Sequence, residues 1–359
     1  MANHLKVYAT DDFSSKILTG IKRVSVRHSF NAPSLARITL NNTAGIRQDT
    51  VSRGDSIRMV AFPEKRTNNI SYFVFYGYVS NVDVNATDYV IEATDYLGQL
   101  GNEILIENPN SIKTECDVMS TIKEIIGGSS YSISLDDVIG ESRIKMSPGM
   151  DLTGMTRLSA IQSLMAQVNV TPTRFRLYGH QTKKGVGVMK LPEIEATDYT
   201  PYIAGRLPRT SAPLDFYPTR IERVEEDSDL VNYVTVRNKN LGIVQNVPPT
   251  KPAEPIHRLY DEDSLTDETQ AQLFGRQILN QQGYSKMRWI VDGLPGRFDI
   301  EVGDIMQFKS AQGGLSGNQM IFNIGWEMSA GGGSSMTLEV GRQAPDLVTA
   351  IRFASSLSV

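Results

Sequence analysis

"VSRGDSIRMV", residues 51–60, and "IEVGDIMQF", residues 300–308, each set a Gly-Asp pair at the mouth of an apolar strand, Gly54 and Gly303 lying 249 positions apart. The text around the two pairs runs in parallel. After Gly54-Asp55 come "SIRMVAF", a polar turn "PEKRTNN", the apolar run "SYFVFYGYVSNVDV", a short gap and "YVIEATD". After Gly303-Asp304 come "IMQFKS", a Gly-rich turn "AQGGLSGN", "QMIFNIGWEMS", "AGGGSS" and "MTLEVGR". Gly77 follows Gly54 by 23 positions and Gly325 follows Gly303 by 22, while Glu92 follows Gly77 by 15 and Glu339 follows Gly325 by 14. Recurring anchors at matched spacing are a sign of internal duplication. The competing reading is that unrelated β-meanders share strands, Gly turns and lengths. In either reading Asp55 and Asp304 are turn formers, because Gly permits the turn and Asp caps it.

Each copy reads as antiparallel β. Alternation is visible in "KRVSVRHSF" and "SLARITLNN", and Tyr, Phe, Val and Ile dominate the long central run, as half-buried strands require. A meander of this kind covers its apolar face by closing into a barrel or stacking as a sandwich. The expected fold class is therefore α+β, mainly β: two antiparallel β-barrel or sandwich domains over residues 1–102 and 214–345, with an α+β insertion over 103–213 between them and a tail over 346–359. At 359 residues the chain is long enough for several cores, and its 40% apolar and 21% charged composition is that of a folded globular protein.

The insertion differs in texture. "TECDVMSTIKEIIGG" predicts a helix, with Thr114 and Asp117 in capping-box positions, Met119, Ile122 and Ile126 on one face and Gly127 at the stop. "GMTRLSAIQSLMAQVNV" predicts a second, with Leu158, Ile161, Met165 and Val168 on its apolar stripe. Both stripes read as core. Strand-like "TRFRLYGH" and "GVGVMKLPE" follow. Farther on, residues 241–256 carry Pro248, Pro249, Pro252 and Pro255, which forbid a helix or a central strand and mark an exposed arm. A helix over 266–282, with Asp267 and Glu268 in its acidic first turn and Gly283 at its end, leads into the second copy. Whether the strand between Thr219 and Arg237 belongs to one β-domain or the other stays open.

Composition and motifs argue against most chemistry. The formal charge of −4 gives no overall bias toward nucleic acid or acidic membranes, and a single cysteine, Cys116, excludes an internal disulfide framework and a cysteine zinc site. "MANHLKVYATDDF" holds no apolar stretch of signal-peptide length, and no run of about 18 apolar residues occurs. The expectation is a chain folded in a cytosol with no membrane insertion. His4, His28, His180 and His257 are scattered, and each reads as exposed or simply hydrogen-bonded. The acidic cluster Asp261, Glu262, Asp263, Asp267 fails as a calcium loop, since Leu265, Thr266 and Gln272 occupy the positions of a ligand, the turn Gly and the closing Glu. No phosphate loop and no nucleophile elbow are present. No residue is assigned a catalytic, cofactor-binding or metal-ligating role, no cofactor is expected, and the protein is not expected to be an enzyme. Distant carboxylates meeting in space leave a carbohydrate-binding or glycan-hydrolysing protein as the alternative. A monomeric adaptor is a further one.

Charge is unevenly spread. Residues 16–66 hold ten Lys or Arg against three acids, and residues 215–229 hold six acids against two bases. Such runs are ordinarily solvated faces; the sharper reading is that a basic face of one β-domain meets an acidic face of the next.

The order of segments carries a resemblance over about residues 1–345. "YVIEATDYLGQL", then "GMTRLSAIQSLMAQ", then "SLTDETQAQLFGRQILNQQG" leading to "WIVDGLPGRFDIEVGDIMQF", resembles the baseplate hub proteins of contractile-tailed phages and the related hub part of the type VI secretion spike. The resemblance implies two tube-protein-like β-domains per chain and a homotrimer that joins the sixfold tail tube to the threefold central spike. It implies as partners the tube protein, the spike protein and other baseplate proteins, with DNA passing through the lumen unread, and a place in the virion tail after assembly in the host cytoplasm. The chain ends at Val359 with no lysozyme, peptidase or β-helical spike segment evident, so wall cutting is expected of a separate protein. "SYFVFYGYVSNVDV" and "QMIFNIGWEMS" are candidates for the inner wall, "PEKRTNN" and "NKNLGIVQNVPPTKPAEP" for contacts with neighbours. Phe62, Tyr76, Trp289 and Trp326 are either interface anchors or core residues.

Overall fold

The computed structural model describes residues 3–9, 17–43, 51–63, 71–106, 118–131, 134–138, 152–168, 175–191, 218–226, 231–261, 267–282, 286–309, 314–330 and 333–341. The first copy consists of β1 (Asn3–Tyr8), β2 (Ile21–Ser29), β3 (Ala32–Asn41), β4 (Ser56–Pro63), β5 (Tyr72–Val84) and β6 (Asp88–Asp95), closed by a 3-10 helix over Tyr96–Asn102. The insertion holds α1 (Val118–Gly127), β7 (Ser134–Val138), α2 (Arg157–Val168), β8 (Phe175–Gly179) and β9 (Gly185–Lys190). Then come β10 (Arg220–Glu226), β11 (Tyr233–Asn238), β12 (Ile243–Val247), β13 (His257–Asp261), α3 (Glu268–Gln282), β14 (Lys286–Pro295), β15 (Ile305–Lys309), β16 (Ser316–Ser329) and β17 (Ser334–Gly341).

Strand order settles the duplication. In the first copy the hydrogen-bonded order is β2-β3-β6-β5-β4, and in the second it is β10-β14-β17-β16, with β15 on β16. Position for position, β10 answers to β2, β14 to β3, β15 to β4, β16 to β5 and β17 to β6. All pairings in both copies are antiparallel. The two Gly-Asp turns share their geometry. Gly54 and Gly303 have φ of 94° and 90°, where glycine avoids the Cβ clash. Asp55 accepts from the Ser52 N–H at 2.8 Å, and Asp304 from the Glu301 N–H at 2.9 Å.

These turns also fix the residue equivalences. Gly54 N–H donates to Val79 O and the Val79 N–H to Asp55 O; Gly303 N–H donates to Ile321 O and the Ile321 N–H to Asp304 O. Val79 is thus the counterpart of Ile321, and Gly77 of Gln319, opposite Ile57 and Met306 respectively. The pairing of Gly77 with Gly325 suggested by spacing is therefore corrected: Gly325 faces Thr337, and its counterpart is Asp83. The connection lengths mislead, because Val79 follows Asp55 by 24 positions whereas Ile321 follows Asp304 by only 17. Gly77 is glycine for a local reason, since a Cβ there would lie 2.1 Å from Thr94 O. Glu92 and Glu339 do correspond. Each follows a bulge on the preceding long strand, opposite Asn81 and Asn323, and each accepts from that Asn Nδ2, at 3.3 and 2.5 Å.

The copies are fused. β2 pairs along its length with the second half of β16, making one eleven-stranded sheet. One core, with Ile38, Met59, Phe75 and Ile91 from the first copy and Phe322, Ile324, Leu338 and Val340 from the second, runs under both. A second core lies in the insertion, where Met119, Ile122 and Ile126 of α1 meet Ile161 and Met165 of α2, with Leu177, Val186 and Val188 behind them. Thr114, Cys116 and Asp117 lie outside the described residues. A third, small core is formed by α3 on the sheet β12-β11-β13. The question of residues 219–237 resolves by division: β10 is the outer strand of the second copy, while β11 is central to the small sheet. The proline-rich stretch opens with β12, an edge strand, and Pro248 follows it in a cis peptide. Among the described residues no helix is long and apolar enough to cross a membrane.

Candidate assembly interface

The two copies meet at a seam between β2 and β16. Its register runs from Asn323 opposite Ser29 to Ser329 opposite Arg23. Aromatic side chains lock it on the core side. His28 meets Trp326 edge-on with ring centroids 5.1 Å apart, and Phe30 meets Phe322 at 5.7 Å. Trp326 also packs on Phe298 and donates its indole N–H to Arg297 O at 2.8 Å. On the solvent side Arg23 pairs with Glu327 at 2.7 Å.

A buried polar relay lies behind the seam. His28 Nε2 is 2.9 Å from Val74 O, which can only accept, so this nitrogen carries the proton and Nδ1 accepts from the Ser34 hydroxyl at 2.8 Å. Burial, reinforced by the nearby Arg176 charge, lowers the His28 pKa to about 3. Asp95 accepts from the Ser34 N–H at 2.9 Å and caps the 3-10 helix through the Gly98 N–H at 3.3 Å. Burial raises its pKa to about 6 despite those bonds. Neither group opens onto solvent, His28 being 4% and Asp95 2% exposed, so the relay is a structural one.

The insertion clamps the seam. The β2–β3 turn residue Asn31, at φ 54°, accepts at its carbonyl from Gln162 Nε2 at 2.8 Å and at Oδ1 from the Leu177 N–H at 2.7 Å. One residue along the same strand, Arg176 reaches the other copy and donates to Val302 O at 2.5 Å, beside the Gly303-Asp304 turn. Its guanidinium is buried, which lowers its pKa, against the opposing charges of Glu301 and Asp304. Residues next to each other in β8 thus hold both copies.

Besides the outer sides of β1 and β15, two edges of the sheet are left without a strand partner among the described residues: the second half of β5, beyond its last β4 pair at Tyr78, and the outer side of β10. They are the counterparts of the two strands joined in the seam. Elsewhere, the small sheet exposes Leu241, Val244, Ile256 and Leu259 at 45–59%. Half-buried Arg237 and exposed Lys239 hold Asp261, and this pairing draws the carboxyl well below the usual carboxylate range.

The comparisons agree with this architecture. The 43 kDa tail protein of prophage MuSo2 from Shewanella oneidensis aligns with a TM-score of 0.63 at 12% identity, over 94% of this chain and 97% of that one. The tail protein from Neisseria meningitidis MC58 aligns at 0.62 and 12%, over 95% and 96%. The chain has the fold of phage tail proteins. A third match with this tail-protein fold is the E. coli c3393 protein, a type VI secretion component similar to T4 tail proteins gp27 and gp5, at TM-score 0.52 and 9% identity, over 96% of this chain and 78% of that one. No family model and no curated protein matches the sequence.

Within the tail-protein fold the four aromatic candidates divide. Tyr76, Trp289 and Trp326 are 2–6% exposed and belong to the interior, with Trp326 at the seam. Phe62 is partly buried on β4 under the Lys6 ammonium, 5.1 Å from its ring. Of the histidines, His28 is buried, while His257 bonds Thr235 Oγ1 at 2.8 Å on the exposed face of the small sheet. Glu262, Asp263 and most of "PEKRTNN" lie outside the described residues. Sequence reasoning missed Asn31, Arg176 and the open edges.

Proposed function

We propose that this protein is a structural tail component of the virion, a trimeric baseplate hub that joins the sixfold tail tube to the threefold central spike. The observation carrying the reading is the duplication: one chain holds two copies of the same strand order, so three chains present six similar faces to a hexameric ring. The tail-protein fold supports the place in the tail, and the seam and its clamp supply a rigid pair of copies. In this reading the chain encircles a channel through which DNA passes without being read, the tube and spike proteins bind at its two ends, and assembly takes place in the host cytoplasm. The small sheet, with Val244 and Leu259 exposed, serves the neighbouring baseplate proteins. The role is mechanical, not enzymatic.

Light scattering coupled to size exclusion tests this across concentration and salt. A particle of three 39.7 kDa chains is the expected result, alone or with tube and spike proteins added. A monomer under every condition, with those partners present, refutes the hub.

A further inference from the structure

We infer that copies of this chain join head to tail by strand pairing, the exposed half of β5 in one chain receiving β10 of the next in the register that β16 and β2 adopt within a chain. This rests on the hub reading and specifies its subunit contact.

The seam inside the chain supplies the template. Phe322 O accepts from the Phe30 N–H and the Ala330 N–H donates to Lys22 O, so even-numbered residues of this part of β16 turn their backbone groups toward β2. The counterparts of Asn323–Glu327 are residues 81–85. Ser25 and Glu222 correspond because they face Arg37 and Ile290, which in turn face Glu92 and Glu339. Transferring the seam register sets Asn81 opposite Glu226, Val82 opposite Glu225, Asp83 opposite Val224, Val84 opposite Arg223 and Asn85 opposite Glu222 of the next chain. The Asn85 N–H donates inward to Asp88 O, which leaves Val82 and Val84 directed outward, as the template requires.

Burial supports the transfer. Trp326 is 2% exposed under β2 whereas its counterpart Val84 is 54% exposed, and Asn323 is fully buried whereas Asn81 is exposed. On the partner strand Val26 is fully buried and its counterpart Arg223 exposed. The half-seams cannot meet within one chain, because β6, β3, β2, β16, β17 and β14 lie between them in the sheet. A contact between two different surfaces repeats from chain to chain until it closes a ring. Asp83 comes diagonal to Glu222, whose carboxylate Arg220 holds at 2.6 Å.

The test uses the full chain with Cys116→Ser and the pair Asp83→Cys, Val224→Cys, mildly oxidised. These positions copy Gly325 and Arg27, a pair outside the hydrogen-bonding set, whose Cα separation of about 4.5 Å suits a disulfide. The intrachain pair Ser25→Cys, Glu327→Cys is the control, closing within one chain without change of mass. Expected are covalent dimers and trimers of the first variant, reversed by reductant. A trimer by light scattering that never cross-links, while the control closes, overturns the strand pairing and leaves the hub intact. A monomer that never cross-links, even with tube and spike proteins, overturns both.

Discussion

Replacing Trp326 by Ala, and its counterpart Val84 by Ala, asks whether one position of a duplicated fold matters because of its residue or because of its seam. Trp326 is 2% exposed, meets His28 and Phe298 and donates to Arg297 O. Truncation of a buried Trp costs about 3–5 kcal/mol through lost burial and the cavity left behind. The stranded Arg297 carbonyl adds about 1 kcal/mol where water cannot reach it. A loss of roughly 5 kcal/mol corresponds to a fall in melting temperature on the order of 10 °C in a protein of this size. Val84 is 54% exposed, so its truncation costs the isolated chain about 0.5 kcal/mol. Thermal melts followed by far-ultraviolet circular dichroism read both, since Trp fluorescence changes with the variant itself. Equal and small shifts for the two variants would refute the seam as the element that holds the copies together. If the proposed hub forms, Val84→Ala acquires a second effect, weaker association, which Trp326→Ala shows only through unfolding.

Acidity separates the two buried groups behind the seam. His28 sits near 3 against an ordinary value of 6.5, so the stability it confers is complete above pH 6.5 and is lost as pH falls toward 3. Asp95 sits near 6 against 3.8, so its contribution is present below 3.8 and is lost as pH rises to 6, a cost of about 3 kcal/mol at neutral pH. The two slopes oppose each other between pH 6 and 4; Asp95→Asn therefore gains stability relative to the natural chain by about 3 kcal/mol more at pH 7 than at pH 4, and an unchanged difference across chemical-denaturation curves at those pH values contradicts the assignment. Glu339→Ala removes a fully buried carboxylate from Arg288 Nη1 at 2.6 Å and Asn323 Nδ2 at 2.5 Å and costs about 3–5 kcal/mol in a urea titration. Glu92→Ala, the same position where the Asn partner is exposed, costs less than about 1 kcal/mol.

The elements of each copy were legible because their signals are local. The Gly-Asp turns, the alternation in "KRVSVRHSF" and the stripes Met119-Ile122-Ile126 and Ile161-Met165 depend only on near neighbours, and the folded chain uses them as the spacing implies. The copy equivalence was legible in kind and misaligned in detail. Gly77 and Gly325 look alike in one dimension, yet the first is required by Thr94 O and the second faces Thr337 with only its Cβ at 4.0 Å nearby. The long-range elements were not legible at all. "TRFRLYGH" reads only as strand-like, and it is the approach of residues 301–304 from the far copy that makes Arg176 a buried donor.

The difference between the two kinds of junction decides what the building unit is. Inside the chain, the seam is held three times over: by strand pairing, by a shared core through His28, Trp326, Phe30 and Phe322, and by the insertion gripping Asn31 and Val302. Between chains, the proposed junction has a strand edge with Val84 and Arg223 in place of Trp326 and Val26. Copies within a chain should therefore move as one body, and in the proposed ring any adjustment to a sixfold tube falls at β5 and β10. In that proposal an alternation of stiff and yielding junctions makes a threefold arrangement of six near-equal units, and it follows from the aromatic residues at the seam, Trp326 among them, where the other copy has Val84.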